Sequence, residues 1–227
     1  MRTVIISDTH GCHEEVDIPQ CDLLIHAGDL EIRTIKDASR FGDWWNSLEA
    51  DIKICVPGNH DFLFESMPDI AANFLDNTNV LINSSIVLPN GICVSGTPYT
   101  PRFMDWAFMS EDADCSALRH YGCISPASDI IVSHGPIYGV HDLVNNKWQK
   151  AEPHVGSKVL RGLIESLESI KIDKTLNENQ ERYFFHGHIH GDKDAVRHTK
   201  FDNIDIFNVS VMDENYDVVH KALILEI

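Results

Sequence analysis

The sequence predicts an α/β fold with more than one sheet, and three observations carry that expectation. Apolar runs are short and recur along the chain, segments with an apolar period near 3.6 residues separate some of them, and strands crowd together late. The expected strands cover residues 3–7, 23–27, 52–56, 86–88, 92–95, 130–133, 183–185, 204–209 and 218–225. Pro89-Asn90-Gly91 separates two of these runs, and its Asn-Gly is a hairpin signal. Ile35, Ala38, Phe41, Trp45 and Leu48 share one face of an expected helix over 34–48. Val159, Leu160, Leu163, Ile164 and Leu167 do the same over 158–170. The polar stretch 171–182 reads as an exposed excursion. No repeat, low-complexity tract or linker divides the 227 residues, so one domain over 1–227 is the simplest organisation.

Composition narrows the function. Hydrophobic residues make up 43% and charged residues 23%, enough apolar material for a core. The net charge of −17 disfavours binding to long nucleic acid, which needs clustered Lys and Arg. A small phosphate ester stays open as a substrate if cations screen its approach. No run approaches the roughly 20 apolar residues of a membrane span. The start, MRTVIISD, opens directly on a strand and reads as no signal peptide. Six cysteines (Cys12, Cys21, Cys55, Cys93, Cys115, Cys123) form no CxxC pair, and several sit inside apolar runs. Free thiols in a reducing cytoplasm are the expectation.

The polar residues at the strand ends carry the chemistry. Apolar runs stop at Asp8-Thr9-His10-Gly11, Gly28-Asp29, Gly58-Asn59-His60-Asp61, Ser133-His134-Gly135 and His186-Gly187-His188-Ile189-His190-Gly191. Taken singly, Asp8 or Asp29 is also what a helix N-cap looks like, and His134, His188 or His190 is what a partnered histidine or an edge-strand polar position looks like. Five such ends together point to one shared site. Carboxyl ends of parallel strands lie along one edge, where ligands bind, and glycine lets backbone approach closely there. Carboxylates, imidazoles and one amide suit divalent ions such as Mn²⁺, Fe²⁺ or Zn²⁺.

In order and spacing these blocks resemble the calcineurin-like metallophosphoesterases: D-x-H at Asp8 and His10, G-D at Gly28-Asp29, G-N-H-D at residues 58–61, a later His at His134, and G-H-x-H at Gly187, His188 and His190. The strings SDTHGCH (7–13), LLIHAGD (23–29), GTPYTPRFMDWAF (96–108), SHGP (133–136) and HVGS (154–157) are similar to the small metallophosphoesterase domain-containing subgroup. The resemblance implies a four-layer α-β-β-α sandwich, two mixed β-sheets flanked by helices, with the site at the strand ends. It also implies a phosphodiesterase acting on small phosphodiesters, cyclic nucleotides included. Attack by a metal-activated hydroxide would need two divalent ions, Mn²⁺ first, with Fe, Zn or Mg as alternatives. Asp8, His10 and His190 would hold one metal, and Asn59, His134 and His188 the other, with Asp29 bridging. His60 would act on the substrate phosphate and Asp61 would hold His60 in position. Some subgroup relatives lack the last His of the G-H-x-H block; this chain keeps His190.

Other side chains admit two readings. His13 and His154 are candidates for the pocket lining, and His26 and His186 for a core or supporting place. His120, His141, His198 and His220 are assigned to the surface. Tyr99, Arg102 and Trp106 either meet the substrate or pack an irregular segment. The competing functions are a phosphomonoesterase or protein phosphatase, and a metal-dependent nucleotide-binding scaffold without turnover. Nothing in the sequence specifies an oligomeric state.

Overall fold

The computed structural model describes residues 1–111, 117–144, 154–169, 181–201 and 203–227. Cys115 and most of the expected polar excursion lie outside the described residues. In chain order the strands are β1 (Arg2–Ile6), β2 (Cys21–His26), β3 (Ala50–Cys55), β4 (Thr78–Val80), β5 (Ser84–Val87), β6 (Cys93–Thr97), β7 (Thr100–Pro101), β8 (Met109–Ser110), β9 (Ile130–Ser133), β10 (Arg182–His186), β11 (His198–Phe201), β12 (Ile204–Asn208) and β13 (Leu223–Glu226). The helices are α1 (Ile35–Ser47), α2 (Phe62–Ser66), α3 (Pro68–Ala72), α4 (Ala117–Tyr121) and α5 (Lys158–Ser169), with a single 3₁₀ turn at His13–Glu15.

Two large mixed sheets result. One runs β13-β1-β2-β3-β4, parallel except for β13. The other runs β11-β12-β10-β9-β6-β5, parallel in its middle with antiparallel strands at both edges. Side-chain parity along a strand explains how they stack. Ile5, Leu23, Ile25 and Ile54 of the first sheet meet Val94, Ile130, Val132 and Phe185 of the second. The alternate residues Val4, Leu24 and Cys55 turn outward onto Ala38, Phe41 and Trp45 of α1. Ile131, Phe184 and Ile206 turn outward from the second sheet onto Leu160 and Ile164 of α5 and Tyr121 of α4. This is the expected four-layer α-β-β-α order. Strands buried on both faces explain runs that are apolar throughout.

Thr34 begins α1 with a capping box to Asp37. The Asn-Gly hairpin joins β5 to β6, with Gly91 at φ +90°. The last strand is shorter than expected. Val218 makes only an isolated bridge to Met212, and pairing with β1 starts at Leu223.

Candidate metal centre

The loops after β1, β2, β3, β9 and β10 converge at the carboxyl edge shared by the two sheets. A parallel bridge between Ser7 and Ser210 joins the sheets there. The backbone is bent hard to aim the side chains. Asp8 (φ +57°), His10 (+40°), Asp29 (+57°), Glu31 (+68°) and His188 (+68°) all adopt left-handed conformations. Each costs on the order of 1–3 kcal/mol, a strain that proteins concentrate at functional sites. Gly187 permits the closest approach: a Cβ on it would overlap Ser7 Oγ and Asp8 Oδ2. Nothing larger lets the second sheet's loop reach the first sheet's carboxylate.

Three groups of candidate ligands form among the described residues: two hold the carboxylates at the strand ends, and the third is His10, Glu31 and His60. Asp8, His10 and His190 bring one ligand atom each within 4.8 Å of one another, and Asp29, His134 and His188 do likewise. Asp29 spans both: Oδ1 lies 3.3 Å from His134 Nε2, and Oδ2 lies 3.5 Å from His10 Nε2. Asn59 Oδ1 joins the second group, 2.8 Å from His134 Nε2. The backbone N–H of His188 donates to both oxygens of Asp8, at 2.9 and 3.0 Å.

The donor set fits a cation, and the hydrogen-bond bookkeeping says why. Carbonyl oxygens and carboxylates only accept. His134 Nδ1 lies 2.9 Å from Ala27 O, His190 Nδ1 3.1 Å from Asp213 O, and His10 Nδ1 3.0 Å from Glu31 Oε2. In all three rings Nδ1 therefore carries a hydrogen and Nε2 is the atom left for a metal ion or a second proton, the supporting arrangement typical of metal-ligating histidines. These Nε2 atoms point at other acceptors. His134 Nε2 faces Asn59 Oδ1 and Asp29 Oδ1, while His10 Nε2 and His190 Nε2 face each other at 3.3 Å. Converging acceptors repel unless a proton or cation lies among them. The Nδ2 of buried Asn59 has no partner among the described residues, so its amide is oriented for its oxygen.

Protonation follows the same electrostatics. Burial pushes the His134 pKa down, but the charge and hydrogen bond of Asp29 prevail and raise it to about 9. Burial pushes the Asp8 and Asp29 carboxyls up, yet the facing imidazoles hold both well below the ordinary range.

One expected role is corrected. The carboxylate of Asp61 accepts the backbone N–H groups of Leu30 (3.2 Å), Ile32 (2.9 Å) and Gly58 (2.7 Å), rather than the ring of His60. It clamps the loop that carries His60, because three amide donors outbid a distant imidazole. Burial beside Asp29 raises its pKa to about 7. The ring of His60 is held by Glu31, whose Oε2 lies 3.1 Å from His60 Nδ1 and 3.0 Å from His10 Nδ1. Burial pushes the His60 pKa down, but Glu31 prevails and raises it. Arg33 caps the group, 2.5 Å from Glu31 Oε1 and 3.0 Å from His60 Nδ1. Sequence reasoning stopped at Asp29 and missed Glu31 and Arg33, although both lie in the same strand-end string, GDLEIR.

The remaining candidates separate. Trp106 packs on His60, with ring centroids 4.9 Å apart. Tyr99 packs away from it, stacked on His120 at 3.9 Å, and Arg102 pairs with Glu111. His13 is buried against Phe41 and Trp44 instead of lining a pocket. His154 Nδ1 lies 2.6 Å from buried Asp142. His26 and His186 are fully buried, as a core place requires. Of the four surface assignments, His198 is exposed. His120, His141 and His220 are half-buried and hydrogen-bonded to Ser110, Thr199 and Gly191, because polar loop neighbours let a histidine sink without losing partners.

The family model for calcineurin-like phosphoesterases matches residues 1–192. The chain is 26% identical to metallophosphoesterase domain-containing protein 1 of Homo sapiens over 249 aligned residues, covering 100% of this chain and 71% of the relative. Two solved structures share the fold. Phosphopantetheinyl hydrolase from Mycobacterium tuberculosis has a TM-score of 0.57 at 16% identity, covering 94% of this chain and 90% of its own. TT1561 of Thermus thermophilus has a TM-score of 0.58 at 12% identity, covering 93% and 89%.

Proposed function

Since the chain belongs to the calcineurin-like phosphoesterase family, we propose that it is a phosphodiesterase with a dinuclear metal centre, hydrolysing small phosphodiesters, cyclic nucleotides among them. The observation that carries this reading is Asp29, whose two carboxylate oxygens face two separate groups of lone-pair donors. Asp8, His10 and His190 would hold one divalent ion and Asn59, His134 and His188 the other, with Asp29 shared. Two such ions, Mn²⁺ first, supply Lewis-acid polarisation of the phosphoryl group and hydroxide at neutral pH. The domain would span residues 1–227. A cytoplasmic setting suits the free thiols Cys12, Cys21, Cys55, Cys93 and Cys123.

The protein's own groups do the rest. Glu31 accepts from Nδ1 of His60, which leaves Nε2 to face the substrate. With its pKa raised by Glu31, His60 is a general acid that gives the Nε2 proton to the departing alkoxide, a role worth about 10²–10⁴-fold. Asp61 fixes the loop under it by three amide bonds. The diester assignment rests on the likeness of the strings at 96–108 and 154–157 to the metallophosphoesterase domain-containing subgroup.

The test is hydrolysis of bis-p-nitrophenyl phosphate by chelator-stripped protein with and without Mn²⁺, beside Asp29→Ala and His60→Ala. We expect Mn²⁺ to restore activity in the wild type and not in Asp29→Ala, while His60→Ala should lose more on a diester with an alkoxide leaving group than on this substrate, whose p-nitrophenolate leaves with little need of a proton. Metal bound at about two per chain with turnover of p-nitrophenyl phosphate but not of the diester would replace this reading with the monoesterase.

A further inference from the structure

Residues 213–217, beyond the stretch matched by the family model, form a tight turn over the first ligand group. The N–H groups of Asn215 and Asp217 donate to Asp213 Oδ1 at 2.8 and 3.1 Å, and Tyr216 N–H donates to Asp213 O at 3.0 Å. The carbonyl of Asp213 also accepts from His190 Nδ1. The turn therefore fixes a candidate ligand and at the same time delivers Tyr216. The Tyr216 ring lies edge-on to both His10 and His190, with centroids 4.9 Å away in each case.

Two features separate this tyrosine from ordinary packing. It is 51% exposed, so it contributes little burial, and it sits at φ +65°, which a bulky side chain rarely adopts. A strained residue half in water is a poor stabilising device. Its hydroxyl has no hydrogen-bond partner among the described residues. Across the centre, the contacts continue from His10 to His60 (4.8 Å) and from His60 to Trp106 (4.9 Å). Trp106 is held in place because Ala107 N–H donates to Asn59 O at 3.1 Å. Tyr216 and Trp106 thus flank the imidazoles assigned to metal and proton chemistry, with Phe103 packed beyond Trp106 at 5.5 Å.

We propose that Tyr216 is a specificity-determining residue that contacts the substrate and selects phosphodiesters whose retained ester group is a planar aromatic ring close to phosphorus; Trp106 lies on the His60 side, where the leaving group departs. This rests on the phosphodiesterase reading above. A ring seated against Tyr216 gains an aromatic contact worth up to about tenfold in affinity, which an alkyl ester does not.

The test compares bis-p-nitrophenyl phosphate with methyl p-nitrophenyl phosphate. In both, water oxygen bonds to phosphorus as p-nitrophenolate leaves, and only the retained group differs. We expect the aryl-to-methyl ratio of kcat/KM to fall by about tenfold in Tyr216→Leu, whereas Trp106→Leu, on the His60 side where p-nitrophenolate leaves both substrates, should leave the ratio near that of the wild type. It should stay near the wild-type ratio in Tyr216→Phe, with bound metal per chain unchanged in all three. The p-nitrophenyl ester of thymidine 5′-monophosphate distinguishes a nucleobase from a simple aryl ring as the preferred group. An unchanged ratio in Tyr216→Leu, or equal losses on both substrates in that variant, overturns the proposal, as does a loss that follows metal content. If the wild type cleaves neither diester, the phosphodiesterase reading fails by itself. Titration of the metal-loaded protein with phenylphosphonate and methylphosphonate then decides. A preference for phenyl that disappears in Tyr216→Leu upholds the aromatic selection, and equal affinities refute it.

Discussion

His134 and His186 end neighbouring strands, both fully buried, yet their protonation runs in opposite directions. Burial drives His186 down to about 3, with His141 adding to the effect, whereas the Asp29 carboxylate overrides burial and lifts His134 to about 9. His26, also fully buried, is pushed down to about 3 by burial, with Thr9 and Gly28 as hydrogen-bond partners. Depth in the sandwich is therefore no guide to chemistry. What separates His134 from the layer beneath it is the Asp29 carboxylate against its ring, held there by left-handed backbone; His188, at the same edge, is pushed down to about 3 by burial, with His134 adding to the effect.

The largest effect should come from removing the shared carboxylate. Asp29→Ala is expected to lower kcat/KM by at least about 10³-fold and to reduce bound metal below one per chain, read by elemental analysis beside the diester assay. Retention of both metals would erase the distinction between His134 and His186. Glu31→Ala leaves the proposed ligands intact but frees two imidazoles. A loss of about 10–100-fold is expected, as for other groups that orient ligands, with the limb of the pH–rate profile assigned to His60 moving to lower pH. Asp61→Asn replaces one of the two acceptor oxygens with a donor, so that at least one of the three amide N–H groups faces an NH2, and should cost about 2–4 kcal/mol of stability. This is measurable as a fall in the urea midpoint and exceeds any direct effect on the chemical step.

His13 sharpens the comparison away from the centre. Burial, with Arg40 nearby, lowers its pKa to about 4, against an ordinary value of 6.5. A depressed value means that the unfolded chain takes up the proton first. Its contribution is thus present above pH 6.5 and lost as pH falls towards 4, up to roughly 3 kcal/mol. His13→Leu should flatten the decline of the urea midpoint between pH 7 and 4.5. The smallest effect belongs to exposed His198: His198→Ala should change stability by less than about 0.5 kcal/mol even though it breaks the ion pair with Asp205.

Much of this was legible in the sequence because the strands are buried on both faces and stop abruptly at polar residues. Runs such as 23–27 and 130–133 mark parallel core strands, and the strings after them name the centre. The short strands β4 and β11 were not legible. Thr78–Val80 and His198–Phe201 are edge segments of mixed polarity whose pairing is decided by neighbouring strands. The role of Asp61 in holding His60 came with the family resemblance, whereas the loop points its carboxylate back at Leu30, Ile32 and Gly58. Tyr216 left no local signal at all, since its place depends on a turn that meets His190 only in three dimensions.

The proposed ligands come from both halves of the sandwich: Asp8, His10, Asp29 and Asn59 follow strands of the first sheet, and His134, His188 and His190 follow strands of the second. Gly187 packs against Ser7 and Asp8 at the seam between them. Parting the sheets by even a small distance would scatter the set, so no partly opened form can keep working. Heat inactivation and loss of the fold should therefore run on one clock, with the His188 amide among the last to exchange its hydrogen.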